Sequence, residues 1–311
     1  MPAPIKWKSK IFLAKIETTY GVDAAPTGSA NAILAVGVSL VPMEGDDVTR
    51  DLEFPWLAAQ AMIPTGLRVR LRGRIELAPS GTAGTAPAWG PILRICGVGA
   101  VVTAGTSVVF APISDNMESA TIHFWIGGTR HVMKGCRGTG TIRANAQGIP
   151  YFEFDILGLF STPSETARPT PDLTAFKKPR VVTTANNVFT VNAVALVMRS
   201  FSMNLGNAVE PRLLVGSESI IIPDRAELVQ TTVEATPLTT YDPYTIADQQ
   251  TSVPIVLKHG TVAGNIWQLS VPAAQQKRLA SFSQNQNILE WPLEFVPQPV
   301  SGNDQWTLTL T

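Results

Sequence analysis

The sequence predicts a mainly β protein organised as two similar halves, and three observations carry that expectation. Apolar and polar residues alternate with period two over most of the chain, as in strands that bury one face. Of the 311 residues 45% are apolar and only 15% charged, with 24 Gly and 24 Pro, a balance that suits short strands and frequent turns better than long solvated helices. The phrase "AQGIPYFEFDILGLFSTP" (146–163) returns near the end of the chain as "NQNILEWPLEFVPQP" (285–299).

Taken in order, "LRVRLRGRIELAP" (67–79) alternates strictly and reads as a strand. Trp89, Ile92, Leu93 and Cys96 then fall at i, i+3, i+4 and i+7, after Pro87 and before Gly97. That spacing predicts a helix over 87–97 with one stripe packed on a sheet. "SATIHFWIGG" (119–128) is a strand ending in a Gly127-Gly128 hairpin turn. "GCRGTG" (135–140) lacks the Lys-Ser/Thr and the helix of a phosphate loop and reads as a hairpin or bulge. "NAQG" (145–148) is a turn leading into the strand "IPYFEFDILGLF" (149–160). "STPSETARPTPDLTAFKKPR" (161–180) has no periodicity and reads as a linker. Beyond it, "RSFSMNLG" (199–206), "AELVQTTVEATP" (226–237) and "QWTLTLT" (305–311) alternate again, and "NQN" (285–287) matches the earlier turn. "VPAAQQKRLASF" (271–282) fits a short helix or a strand equally well.

The halves match in order. "RIELAP" (74–79) answers "TVEATP" (232–237) at an offset of 158, and the opening phrase answers its partner at 139. Phe152, Phe154 and Ile156 thereby fall on Trp291, Leu293 and Phe295. The first half holds about 19 more residues, in the region of the 87–97 helix. We expect a first domain over 1–160, a linker over 161–180 and a second domain over 181–311, related by duplication.

The totals exclude several function classes. With 24 bases against 24 acids there is no basic excess of the kind a phosphate-gripping protein carries. No apolar run approaches the ~18 residues of a membrane span, and the lysine-studded N-terminus does not read as a signal peptide. Cys96 and Cys136 cannot form a disulfide framework, and two buried thiols in a reducing cytoplasm suit them better than a bridge. His123, His131 and His259 show no metal-ligand spacing. "VGSES" (215–219) lacks the second glycine of a nucleophile elbow. His123 shares a strand face with Thr121 and Trp125 and reads as a packing or interface residue. No enzyme and no cofactor are expected.

One cluster asks for a partner. Arg68, Arg70, Arg72 and Arg74 project from one face of one strand, and like charges so close repel unless something answers them. A phosphate backbone would do so, as would Asp46, Asp47, Asp51 and Glu53 from a neighbouring subunit, and the neutral total favours ion pairs. The second half has Ala226, Leu228, Gln230 and Thr232 at those positions.

"APAWGPILRICGVG" (86–99), "GGTRHVMKGCRGTGTIRANAQGIPYFEFDILGLF" (127–160) and the terminal "GNDQWTLTLT" (302–311) together resemble the major tail tube proteins of long non-contractile-tailed, siphovirus-type bacteriophages. The closer resemblance is to their two-domain version. It implies two tandem β-sandwich domains, each flanked by a short helix, that lend strands to a ring-wide β-barrel. Three chains would make a pseudo-hexameric ring, and rings would stack around a tape measure protein into the conduit for DNA. Terminator and distal tail proteins would close the ends, and duplex DNA would transit without specific binding. The virion tail, assembled in the host bacterial cytoplasm, would be its location. Residues 44–66, with Arg50, Phe54 and Trp56 beside the four acids, would be a stacking loop, and 207–225, with Glu210 and Arg212, its copy. Trp7 and Phe12 in the N-terminal arm would dock on an adjacent subunit. A tail-tip receptor-binding sandwich, a distal tail protein or a terminator is the alternative, and each would form a discrete oligomer.

Overall fold

The computed structural model describes residues 4–311 as an almost wholly antiparallel β structure. The first half contains β1 (Lys10–Ile16), α1 (Gly28–Asn31), β2 (Val36–Thr49), β3 (Met62–Glu76), α2 (Gly90–Arg94), β4 (Val98–Thr103) and β5 (Ser107–Pro112). It continues with β6 (Ala120–Ile126), β7 (Thr129–Asn145), β8 (Tyr151–Leu159) and β9 (Ser164–Glu165). The second half contains β10 (Asn187–Val191), β11 (Val194–Ala195), β12 (Met198–Asn204), β13 (Asn207–Leu214), β14 (Ser217–Arg225) and β15 (Leu228–Glu234). After α3 (Pro243–Asp248) come β16 (Ser252–His259), β17 (Trp267–Gln276), β18 (Ser283–Asn285), β19 (Ile288–Pro297) and β20 (Thr307–Leu310).

Eight strands run edge to edge through both halves in the order β2–β3–β8–β7–β12–β15–β19–β17. Their inward residues are largely apolar, with Gly73 and Thr231 among the exceptions: Val69, Leu71, Ile75, Phe152, Phe154 and Ile156 in the first half are answered by Val229, Val233, Trp291, Leu293 and Phe295 in the second. Against this sheet lie β1 and β6 in one half and β10 and β16 in the other. Phe12 closes the first sandwich, its ring 6.2 Å from Phe124 and 6.0 Å from Phe154. Phe189 and Phe201 meet at 5.9 Å in the second. The long strand β7 belongs to both layers, pairing with β6 at one end and β8 at the other. Its register shifts between Lys134 and Arg137, where Gly135 takes a φ of 57°. Thus "GCRGTG" is a bulge that bends one strand between two sheets.

The pairings of one half recur in the other. Leu71 pairs with Ile156 and Ile75 with Phe152, while Val229 pairs with Phe295 and Val233 with Trp291. These are the partners that the offsets of 158 and 139 require. Loop hydrogen bonds recur as well. Ser9 N donates to Lys6 O as Asn186 N does to Thr183 O, and Gly127 N to Ser9 O as Gly260 N to Asn186 O. Ile33 N donates to Phe12 O as Leu196 N does to Phe189 O. The additional length of the first half is the β4–β5 hairpin, for which nothing stands between α3 and β16. That hairpin joins the halves by pairing β5 with β20, Phe110 opposite Leu308.

The helix expected over 87–97 is shorter, Gly90–Arg94, because Pro91 sits in its first turn and Gly97 takes a φ of 69° just beyond it. The apolar stripe survives: Trp89, Ile92, Leu93 and Cys96 are all buried. The segment 271–282 forms no helix: it is the end of strand β17 as far as Gln276 and irregular from 277 to 282. The helix flanking the second half is α3, where Asp242 caps the N-terminus by accepting from the amides of Tyr244 and Thr245. Among the described residues no helix is long and apolar enough to cross a membrane.

Candidate assembly surfaces

The eight-stranded sheet turns one face to the core and leaves the other open except over β7 and β8, where the β13–β14 hairpin covers Thr139 and Leu157. Alternation puts Arg68, Arg70, Arg72 and Arg74 of β3 on the open face, opposite the side of Leu71 and Ile75. Pairing with β8 sets Asp155 opposite Arg72 and Glu153 opposite Arg74, and pairing with β2 brings Glu44 opposite Arg68. The stripe is therefore answered within the chain. Glu44 takes Arg70 Nε at 2.7 Å and Arg68 Nη2 at 3.1 Å, while Asp155 takes Arg70 Nη1 at 3.2 Å and Arg72 Nε at 2.9 Å. Arg74 lies over the Tyr151 ring at 4.7 Å. The hydrogen bond from Arg70 holds the Glu44 carboxyl below its usual range, and the same bond raises Arg70. On the same face Arg143 meets Glu153 and Lys277 meets Glu294. Partly exposed pairs of this kind contribute about 0.2–1 kcal/mol each, so they order the surface more than they stabilise the fold. Neither Glu44 nor Asp155 stands out in the sequence; strand register alone brings them to the stripe.

Beyond Arg68, β2 and β3 leave the sheet and continue as a hairpin. Met43–Thr49 is roughly 23 Å of extended chain. Its tip is closed by Gln60, whose side chain accepts from Leu52 N and donates to Leu52 O, both at 2.6 Å. Phe54 and Trp56 stack there at 5.8 Å and remain exposed, with Leu57, Met62 and Ile63 beside them. Asp46, Asp47, Arg50, Asp51 and Glu53 are exposed or partly exposed and form no ion pair among the described residues. The tip thus carries exposed, stacked apolar side chains on a projecting hairpin.

The corresponding hairpin of the second half, β13–β14, folds across the first half. Asn207 Nδ2 donates to Cys96 O at 2.7 Å and Gly138 O at 3.0 Å, and Arg225 Nη2 to Gly97 O at 2.7 Å. These side chains bond the Cys96 and Gly97 carbonyls just beyond α2, and Asn207 bonds a carbonyl of β7 as well. Tyr20 Oη accepts from Ile220 N at 2.6 Å and donates to Gly135 O at 3.2 Å, and Arg137 donates to Ile220 O at 2.9 Å. Glu210 and Arg212 point outward from the hairpin, both exposed.

In the N-terminal arm the two aromatic candidates part company. Trp7 is exposed under the Lys10 ammonium, 3.6 Å from its ring centre, whereas Phe12 is a core residue. Beside Trp7 lies a cavity of about 570 Å³ lined by Lys10, Phe12, Ile33, Leu34 and Ala35.

The groups with chemical potential are engaged in packing. His123 bonds Asp23 at 3.0 Å and His259 bonds Asn187 at 2.8 Å, and burial pushes both, with His131, below the usual imidazole value. Cys96 and Cys136 are free and fully buried, which pushes their thiols up. Among the described residues no cluster of His, Cys, Asp and Glu is arranged to hold a metal ion.

A family model described as phage tail tube protein matches residues 7–299. No curated protein matches the chain.

Proposed function

The chain belongs to the phage tail tube protein family, a structural component of the virion tail, and from that premise we propose that it builds the tube from rings of three chains. The observation that carries this is the continuous sheet of eight strands, four from each half: at one end β2 is paired only with β3, and at the other the chain beyond β17 continues into β18, which is paired only with β19. We read the halves as duplicated domains, 1–160 and 181–311 joined by 161–180, so that three chains present six equivalent four-stranded units. Closing such units edge to edge removes the exposed edges. A barrel of ~24 strands at ~4.8 Å spacing and ~40° tilt has a diameter of roughly 48 Å, and side chains reduce the bore to roughly 38 Å. Duplex DNA and a tape measure protein fit such a bore in turn.

In this arrangement the open face with its arginine stripe lines the lumen. Arg68, Arg70 and Arg72 are already bonded to Glu44 and Asp155, so passing phosphates meet compensated charge rather than free guanidinium clamps. A conduit needs that property, because every phosphate held tightly is a barrier to transit. The hairpin tip around Phe54 and Trp56 reaches the next ring and stacks the tube axially. Terminator and distal tail proteins complete the ends, and assembly proceeds in the host cytoplasm.

Electron microscopy of the purified protein at high concentration, with end-on views classified, tests the reading. Rings of three chains with six lobes around a bore near 4 nm, or hollow tubes, are expected. Compact particles that never stack would overturn it.

A further inference from the structure

Within one chain, the two halves already meet at a junction whose counterpart lies open. The first half's turn docks on the second half through three backbone hydrogen bonds: Gln147 N to Val182 O at 2.8 Å, Val182 N to Gly148 O at 2.9 Å, and Ala146 N to Arg199 O at 2.8 Å. Behind it, Thr141–Asn145 of β7 pairs with Ser200–Asn204 of β12, setting Ile142 opposite Met203. The groove that receives the turn is bordered by Thr184, Asn187, Phe189, Leu196, Val197 and Met198, with Ala146 and Gln147 completing its wall.

The recurring pairings and loop bonds locate the same groove in the first half. Its borders correspond position for position to Trp7, Lys10, Phe12, Ile33, Leu34 and Ala35, which line the 570 Å³ cavity. There the wall made by a turn is missing, and the volume exceeds the 220 Å³ left in the second half. Two exposures mark the vacancy. Val182 is 3% exposed, whereas Ile5 at the equivalent position is 63% exposed. Ile142 is completely buried in the junction, whereas Phe282, placed alike by the pairing of Ser283 with Glu290, is 61% exposed.

We propose that the turn Gln284–Asn287 and the segment Lys277–Ser283 that links β17 to β18 in one chain dock on the Ile5–Lys10 arm and the free edge of β2 in the next copy of this chain. The partner is thus a second copy, arranged head to tail, and its contact repeats the contact that joins the halves. Gln286 N would donate to the Ile5 carbonyl as Gln147 N does to Val182, and Phe282 would enter the apolar groove beside Trp7. Gln286 and Asn287 already hold φ of 52° and 64°, as Gln147 holds 60°. The turn is therefore formed before docking and loses little conformational freedom on binding. Between Gln276 and Ser283 the chain runs two residues longer than between Gly138 and Arg143, a bulge that an edge without its neighbour accommodates.

This junction rests on the ring reading, and the test separates the two. Ile5→Cys and Gln286→Cys are introduced together in the full chain; both sites are exposed, and the two native thiols are buried. After assembly and mild oxidation with copper-phenanthroline, non-reducing gels should show covalent species of two and three chains and none larger. Rings visible by microscopy but only single chains on the gel would overturn the junction and leave the ring. A ladder extending beyond three chains would uphold the junction and overturn closure at three. Neither rings nor bridges would overturn both. In a second variant, Phe282→Asp, the concentration needed for ring formation should rise at least tenfold while the single chain melts as before. Rings at the original concentration would sink the role of that side chain.

Discussion

Glu17 is a buried carboxylate whose two oxygens accept four hydrogen bonds, from Gly21 N, Ser119 Oγ, Thr121 Oγ1 and Gly135 N, at 2.6–2.9 Å. It pins the β7 bulge to the loop after β1. Removing it strands buried donors, each costing about 1–3 kcal/mol. Glu17→Ala should therefore lower stability by at least about 3 kcal/mol, read as a fall in melting temperature of roughly 5–10 °C. The histidines make a second prediction. Burial lowers His123, His131 and His259 in the folded chain, so the unfolded chain binds more protons as pH falls below about 6.5. Stability is fully present above that pH and declines through the window beneath it. Thermal melts between pH 7 and 5 should show the decline, and His259→Gln should make it shallower; a flat profile would reject the assignment. At this scale the sequence was only half legible. It displayed the arginine stripe by alternation, but Glu44 and Asp155 reach it through register across strands, which no local spacing encodes. Gln60 closes the hairpin tip by its amide alone, and nothing in the composition of that loop singles it out.

Among the elements, strands were legible and their extents less so. Period-two alternation found β3, β6, β8, β12, β15 and β20 because each buries one face. The helix α2 announced its stripe, yet its length was set by Pro91 and Gly97 and by a bonding partner from the other half. Segment 271–282 was ambiguous for a physical reason: part of it lacks a neighbour, so its outward residues do not follow the alternation of a fully paired strand. The β13–β14 hairpin shows what such an element needs. It is held across the first half by Tyr20, Arg137, Asn207 and Arg225. Tyr20→Phe removes one acceptor and leaves the Ile220 amide unbonded. Hydrogen exchange at Ile220 should accelerate about tenfold, while exchange in the core strands β8 and β19 stays unchanged. Acceleration throughout the chain would mean that the hairpin and the core open as one unit.

For the whole molecule, the proposed lateral and axial contacts would occupy different residues, which would let them be broken separately. The edge of β2, the Trp7 groove and the 277–287 segment lie along the sheet, where neighbours within a ring would stand. Phe54 and Trp56 lie at the end of a projecting hairpin, where a neighbouring ring would stand. The recurrence of strand pairings between the halves was the feature of this scale that sequence could suggest, since phrases repeated in the same order, here at offsets of 158 and 139, survive in a linear string. Which edges stay free is visible only when every strand has its partner assigned. Replacing Phe54 and Trp56 together by Ser removes the stacked pair, which is worth about 0.5–1.5 kcal/mol beyond its buried area, without touching a core residue. Such a chain should still close into rings, but the rings should not elongate into tubes under conditions where the unaltered chain does. At the same concentration Phe282→Asp should fail one step earlier and yield neither. Sedimentation velocity distinguishes the three states by size. If the hairpin variant stayed a single chain, the tip would belong to the lateral contact, as its counterpart β13–β14 does within the chain, and the axial surface would have to be sought on the opposite rim.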